Sequence, residues 1–136
     1  MELDTSALFI GSECEDYNIP SGRVVVCGVP GAFTPGCTKR HLPEFAKNIS
    51  FFDKVVFISV NDSMVMDVWN KQHGHGEIDS VGDPLGLFTK SIGMDKDFGP
   101  SMGVRSKRYA ALFEDGKFVK FFEQPWAEDV LNEMEG

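Results

Sequence analysis

Residues Val24–Lys47, VVVCGVPGAFTPGCTKRHLPEFAK, run from an apolar strand through a tight loop into a helix. Val24 to Val29 is a short, almost unbroken run of β-branched residues, the pattern of a strand buried on both faces of a parallel sheet. After the loop, Pro35 opens a helical segment, Gly36 permits a close approach, and Leu42, Phe45 and Ala46 supply apolar positions at roughly helical spacing. Pro43 inside that helix deletes one backbone donor and predicts a kinked or loosened turn around Lys39. A second buried run, Val55 to Val60 (VVFISV), completes a strand, loop, helix, strand unit whose two strands lie parallel, with helices covering both faces.

Working outward, Asn61-Asp62 offers an N-cap for a helix over Ser63 to His73 that stops at Gly74, with Met64, Val65, Val68 and Trp69 on its apolar face. Gly74 to Val81 is polar and supports at most an edge strand near Glu77 to Val81. Asp83-Pro84 opens a short helix that runs to about Ile92 before Gly93. Tyr109 to Phe113 and Phe118 to Phe122 flank Glu114-Asp115-Gly116-Lys117, and the Asp-Gly pair predicts a hairpin. A last amphipathic helix runs from Trp126 to Met134. This order, parallel strands joined by a helix and then an antiparallel hairpin with a closing helix, predicts an α/β fold of thioredoxin-like type, a central mixed β-sheet flanked by helices.

The 136 residues suit one domain, 1–136, with no internal repeat, low-complexity tract or linker. Charge excludes some functions: 13 basic against 21 acidic residues leave a formal net charge of −8, which repels phosphate backbones and anionic lipid, so neither nucleic acid nor membrane is an expected partner. No apolar run is long enough to span a bilayer, and Met1 to Ser12 has Glu2 and Asp4 where a secretory signal has basic residues. Three cysteines, Cys14, Cys27 and Cys37, are too few and odd in number for a secreted disulfide framework and fit a reducing compartment. The expected location is cytoplasmic, or mitochondrial if a transit peptide has been removed ahead of Met1. His73 and His75 form His-Gly-His, but two histidines in a glycine-rich loop without a third ligand are expected to be solvated, and no metal is expected. The Phe-rich composition reads as core and interface.

The chemistry concentrates at Pro30-Gly31-Ala32-Phe33-Thr34-Pro35-Gly36-Cys37. A thiol in the first turn of a helix faces unpaired backbone N–H groups and the positive end of the helix dipole, which favour thiolate over thiol. The Cys-x-x-Cys arrangement that exchanges dithiols at such a junction is absent, because Thr34 stands three residues before Cys37. A hydroxyl there suits hydrogen bonding to an oxygen-containing substrate or to the thiolate itself.

The run Gly28 to Cys37, GVPGAFTPGC, followed by Lys39-Arg40-His41-Leu42-Pro43, resembles the peroxidatic motif of the type II, or peroxiredoxin-five, subfamily of peroxiredoxins. Further matches are Ser59-Val60-Asn61-Asp62 with Met66 and Trp69, then Asp83-Pro84, Phe88-Thr89-Lys90, and Gly103 to Tyr109, covering roughly Val24 to Phe122 in order. The resemblance implies a thioredoxin-like fold and a thiol-dependent peroxidase acting on hydrogen peroxide and organic hydroperoxides. It maps the family's Pro-x-x-x-Thr-x-x-Cys onto Pro30, Thr34 and Cys37, and its active-site arginine onto Arg108. Cys37 is then the peroxidatic cysteine that becomes a sulfenic acid. Thr34 and the N–H groups of Gly36 and Cys37 hold the peroxide oxygens, Arg108 favours the thiolate and orients peroxide, and Pro30 shields the sulfur from water. His41, four residues after Cys37, lies on the same helical face as a supporting contact. A homodimer, with Phe33 and nearby aromatics at a two-fold interface, is also implied.

The chain departs from the family in its cysteines. A resolving cysteine stands in some members where this chain has Phe57, and in others in a loop corresponding to Glu123–Ala127, which has none. The N-terminus is short and the region Glu123–Trp126 contracted. Cys27, in mid-strand, and Cys14 read as packed or incidental thiols. The expected cycle is therefore 1-Cys-like, with no prosthetic cofactor and with an external thiol reductant, glutathione with glutaredoxin or thioredoxin, as the partner. The alternative is a peroxide sensor or redox relay that passes oxidation from Cys37 to a client protein. A thioredoxin-fold module without turnover is disfavoured by the joint presence of Thr34, Cys37 and Arg108.

Overall fold

A computed structural model describes residues 17–135. The elements follow the expected order. β1 is Arg23–Gly28, α1 Leu42–Lys47, β2 Val55–Ser59, α2 Ser63–His73, β3 Ile78–Gly82, α3 Leu87–Ser91, β4 Asp95–Asp97, β5 Val104–Ser106, β6 Tyr109–Glu114, β7 Lys117–Phe121 and α4 Ala127–Glu135. Five strands form one mixed sheet in the order β3-β2-β1-β6-β7, and β4 and β5 pair as a separate two-stranded ribbon. The fold is the thioredoxin-like one that the sequence predicted. β3 is an edge strand, as expected from its sequence, and β7 is the other edge.

Period-2 alternation splits the core into two layers. Val25, Cys27, Val55, Phe57, Ala110 and Leu112 face a cluster with Leu42, Phe45, Trp69, Ala127 and Val130, so α1, α2 and α4 cover this side. Val24, Val26, Val56, Ile58, Ala111 and Phe113 face the other cluster, under Phe88 and Ile92 of the α3 segment. β1 and β2 are buried on both faces because both layers need them, which is why their sequences are runs rather than alternations.

β1 pairs parallel with β2 and antiparallel with β6, and in the latter register Gly28 lies opposite Tyr109. A Cβ at Gly28 would fall 1.9 Å from Tyr109 Cε2, so only glycine leaves room for that ring across the strand end. This register brings the start of β6, with Arg108 just before it, beside the loop leaving β1. The β6–β7 hairpin turns through Asp115 (φ 51°) and Gly116 (φ 80°), the two left-handed residues that an Asp-Gly two-residue turn requires.

The loosened turn expected from Pro43 is a π-turn over Cys37–His41, in which the Leu42 N–H bonds to the Cys37 carbonyl, five residues back. Pro43 has no N–H for the Lys39 carbonyl and its ring crowds that oxygen, so the helix takes one extra residue before α1 resumes. Cys37 and His41 are the residues of this turn that are buried.

Two expectations need correction. The inward face of α2 is Ser63, Met66 and Trp69, while Met64 and Val68 are exposed and Val65 is half-buried. The helix phase is set by the Asp62 carboxylate, which accepts the Val65 N–H at 2.9 Å, and by Trp69, whose indole N–H must reach the Thr38 hydroxyl at 3.0 Å. The helix expected to open at Asp83-Pro84 begins only at Leu87, because Asp83 is not its first-turn residue but its buried anchor: the carboxylate accepts from Phe88 N, Thr89 N and the Thr89 hydroxyl, while Gly86 at φ 68° turns the chain between them. A carboxylate without solvent exposure is tolerable only because these donors satisfy it. Asp83→Ala removes them at one stroke and is expected to cost about 2–4 kcal/mol of stability by urea denaturation. A loss below about 0.5 kcal/mol would show that α3 is held otherwise.

Candidate active site

The site forms where β1 ends. Pro30, half-buried, leads out of the strand, and Phe33 takes φ 65°, an uncommon left-handed conformation for an aromatic residue that turns the loop sharply toward the helix. The Thr34 hydroxyl donates to the Gly31 carbonyl at 2.6 Å, and the Thr38 N–H bonds to the Thr34 carbonyl at 2.9 Å as the first helical bond of residues 35–47. With its proton committed to Gly31, the Thr34 hydroxyl offers lone pairs and acts as an acceptor. The N–H groups of Gly36 and Cys37 precede that first helical bond, so the start of the helix presents them along its axis.

Cys37 is fully buried, and Arg108 Nη2 donates to its Sγ at 3.2 Å. By strand alternation Arg108 shares its face with Ala110 and Leu112, the layer that holds Cys37. A Cβ at Gly36 would lie 2.9 Å from Arg108 Nη2, so glycine there lets the guanidinium reach the sulfur. Arg108 Nη1 meets His41 Nδ1 at 2.9 Å, and since a guanidinium can only donate, Nδ1 accepts and the imidazole proton belongs on Nε2. The structure thus joins Cys37, Gly36, His41 and Arg108 into one contact set, with Thr34 closing the loop ahead of it and Pro30 half-buried at the start of that loop.

His41 is neutral by construction. Burial and the positive charge of Arg108, with a lesser push from Arg40, drive its pKa from the ordinary 6.5 down to about 3. The Pro125 carbonyl pulls the other way, but no acceptor among the described residues completes a hydrogen bond to Nε2. The ring stands edge-on to Phe57, with centroids 4.9 Å apart, and to Trp126, at 5.5 Å.

Cys27 lies in the same apolar layer, and burial pushes its thiol well above the ordinary range despite the opposing pull of Arg108. It is the packed, protonated thiol that its mid-strand position predicts. Cys14 lies outside the described residues. His75 Nδ1 accepts the Glu77 N–H and His73 stands edge-on to Phe33, which accounts for the His-Gly-His pair through local contacts.

Three contributors were not singled out for the site in the sequence. Asn61, read with Asp62 as part of a cap, instead sends its side-chain oxygen to the Ala32 N–H at 3.0 Å and to the Ser59 hydroxyl at 2.8 Å, pinning the loop to the end of β2. Trp69 anchors the first helical turn through Thr38. Trp126, just ahead of α4, carries the Arg40 guanidinium 3.7 Å above its ring and Arg108 at 5.4 Å. Apart from the Asn61–Ser59 bond, these partnerships join residues from separate elements and have no local spacing signature.

The Redoxin family model matches residues 14–134. A peroxiredoxin of Synechocystis sp. is 38% identical over 109 residues, covering 76% of this chain and 58% of the relative. Peroxiredoxin-2F, a mitochondrial protein of Arabidopsis thaliana, is 39% identical over 102 residues, covering 70% of this chain and 51% of the relative. The chain therefore spans only about half to three-fifths of the length of these two relatives. Among solved structures, reduced Prx3 from Vibrio vulnificus superposes with a TM-score of 0.89 at 28% identity, covering 100% of this chain and 97% of that one, and the same protein in complex with hydrogen peroxide gives 0.88.

The low His41 pKa sets a pH dependence of stability. Below about 6.5 the unfolded chain binds a proton at this imidazole, whereas the folded chain does so only near 3, so this group's contribution is lost as pH falls from 6.5 to 3. His41→Gln keeps an acceptor for Arg108 without titrating, and its stability is expected to fall less steeply than that of the native chain across that window in urea denaturation. Parallel curves would contradict the assignment.

Proposed function

The chain belongs to the Redoxin family, and from that premise we propose that it is a thiol-dependent peroxidase whose reacting atom is Cys37 Sγ. The observation that carries the reading is the pair of Arg108 contacts, 3.2 Å to Cys37 Sγ and 2.9 Å to His41 Nδ1. A guanidinium fixed at both ends sets a positive charge and a planar donor against the sulfur, where negative charge must be held during attack on peroxide. The relative captured with hydrogen peroxide supports the same substrate here, and organic hydroperoxides are proposed with it on the resemblance of the motif alone.

The steps follow from the positions. Peroxide enters beside Pro30 with one O–H directed at the Thr34 oxygen, whose own proton is held by Gly31. The Cys37 thiolate attacks the nearer oxygen, an S–O bond forms as the O–O bond breaks, and the departing oxygen leaves with the bonding pair. Arg108 and the N–H groups of Gly36 and Cys37 stabilise the charge that moves onto it, and protonation gives water or an alcohol. Cys37 is left as a sulfenic acid. His41, neutral, holds Arg108 and transfers no proton. The sulfur is the redox centre, so the reaction calls on no prosthetic group.

The cycle is read as closing with an external thiol, glutathione with glutaredoxin or thioredoxin: Cys27 is buried with its thiol pushed up, Phe57 and Glu123–Ala127 supply no second thiol, and Cys14, outside the described residues, is taken as incidental. Such a cycle belongs in a reducing compartment, for which we propose the cytoplasm.

A homodimer extends the reading. Phe33, Met64, Val68, Leu85 and Leu87 are exposed, Leu85 at 73%. They adjoin around Asn61: its side chain holds the Phe33 loop, α2 starts two residues on, and Gly82, ahead of Leu85, packs against the Asn61–Ser63 backbone. An apolar surface at the rim of the site suits a two-fold contact.

Peroxide consumption with either reductant is expected for the native chain and lost in Cys37→Ser, while Arg108→Leu slows it about 10²-fold. Cys14→Ser and Cys27→Ser retain turnover. Full activity without Cys37, or no consumption by the native chain with any thiol, contradicts the assignment; loss of turnover in either of the other cysteine variants contradicts the external cycle. Light scattering is expected to give a dimer mass for the native chain and a monomer mass for Leu85→Asp with Phe33→Asp. A monomeric native chain would refute the interface.

A further inference from the structure

Among the described residues no carboxylate lies within ion-pair distance of Arg108: the ion pairs there are Arg40–Glu44, Lys54–Asp79, Lys71–Asp67 and Lys120–Glu133. Its neighbours are the sulfur of Cys37, a neutral imidazole, and the face of an indole. A half-buried cation so placed has lost much of its water, and something must offset that loss without neutralising it. A carboxylate would do so but would compete with the Cys37 thiolate as the counter-charge. An aromatic face attracts a cation through its quadrupole and carries no net charge.

We propose that Trp126 is a positioning residue for Cys37, holding Arg108 as an uncompensated cation whose one anionic partner is the sulfur; this rests on the peroxidase reading of the same site. The indole is itself held by Arg40 and His41. Arg40 lies 3.7 Å above its ring, the closest of the cation-to-ring approaches among the described residues. Arg40 Nε is 3.6 Å from Glu44 Oε2, and Glu44 Oε1 accepts the Glu128 N–H at 3.3 Å, in the first turn of α4. Glu44 therefore ties the segment behind Trp126 to the same helix that carries Cys37 and His41. The ring attracts both guanidinium groups and so offsets part of the repulsion between them that would otherwise push Arg108 away from the site. It also stands edge-on to His41, the imidazole that holds Arg108, with 5.5 Å between centroids.

The test is the rate at which iodoacetamide, a neutral reagent, alkylates Cys37 at fixed pH, followed by mass spectrometry of the Cys37 peptide and paired with peroxide consumption. Trp126→Leu is expected to slow both by about tenfold, whereas Trp126→Phe, which keeps a ring, stays within about twofold of native. In an Arg108→Leu background, Trp126→Leu is expected to change neither rate further. Native rates in folded Trp126→Leu, or an equal slowing with and without Arg108, would overturn the proposal, the latter by showing that the ring acts through packing alone. Should Trp126→Leu fail to fold, biosynthetic fluorotryptophan decides: it keeps the ring shape but weakens the quadrupole, and is expected to slow alkylation in the native chain and not in Trp126→Phe, which retains only Trp69. No slowing there overturns the proposal. A native chain that consumes no peroxide yet shows the alkylation pattern would refute the peroxidase reading and leave the role of Trp126 standing.

Discussion

The contact between Arg108 Nη2 and Cys37 Sγ joins residues 71 apart in sequence, and much of the local architecture exists to make it. The antiparallel register of β1 and β6 sets the end of one strand beside the start of the other, and Gly28 leaves room there for Tyr109. Strand alternation then aims Arg108 into the layer beneath the helices. On the other side, the loop from Pro30 to Gly36 delivers Cys37 at a helix start, and the absence of a side chain at Gly36 opens the last few ångströms. The π-turn forced by Pro43 keeps Cys37 and His41 buried on one face, so that a single guanidinium meets both.

What the contact does depends on the charge around it. The chain is acidic, with a net charge of −8, yet no carboxylate among the described residues reaches Arg108. His41 is kept neutral by burial and by Arg108 itself, and Cys27 is kept protonated by burial. A small neutral peroxide meets no barrier from the surface charge, while at the sulfur the positive charge is concentrated and unshared. Of the two described cysteines, Cys37 is the one with both a helix start and the Arg108 guanidinium at its sulfur.

Much of this was legible in the sequence. The valine-rich runs predicted the central strands because both of their faces are buried, the Asp-Gly turn predicted the hairpin, and Pro43 predicted the loosened turn. Thr34-Pro35-Gly36-Cys37 and Arg108 were legible because a motif reports chemistry as well as backbone. What escaped was set by pairings between separate elements. The inward face of α2 follows from the Asp62 cap and the Thr38 partner of Trp69, not from the most apolar stripe, and Met64 and Val68 were misread for that reason. Asp83 looked like a helix start and is instead a buried acceptor for three donors. Trp126 meets Arg40 and Arg108 from a segment outside every motif read in the sequence, so nothing local marked it.

Cys37 Sγ, beside Arg108, is proposed as the atom that reacts with peroxide, and one equivalent of hydrogen peroxide added to the reduced chain with a sulfenic-acid trap, followed by mass spectrometry of the adduct, decides it. A near-stoichiometric adduct is expected at Cys37 and none at Cys27. An adduct distributed over the cysteines, or no adduct at Cys37 while peroxide persists, would contradict it.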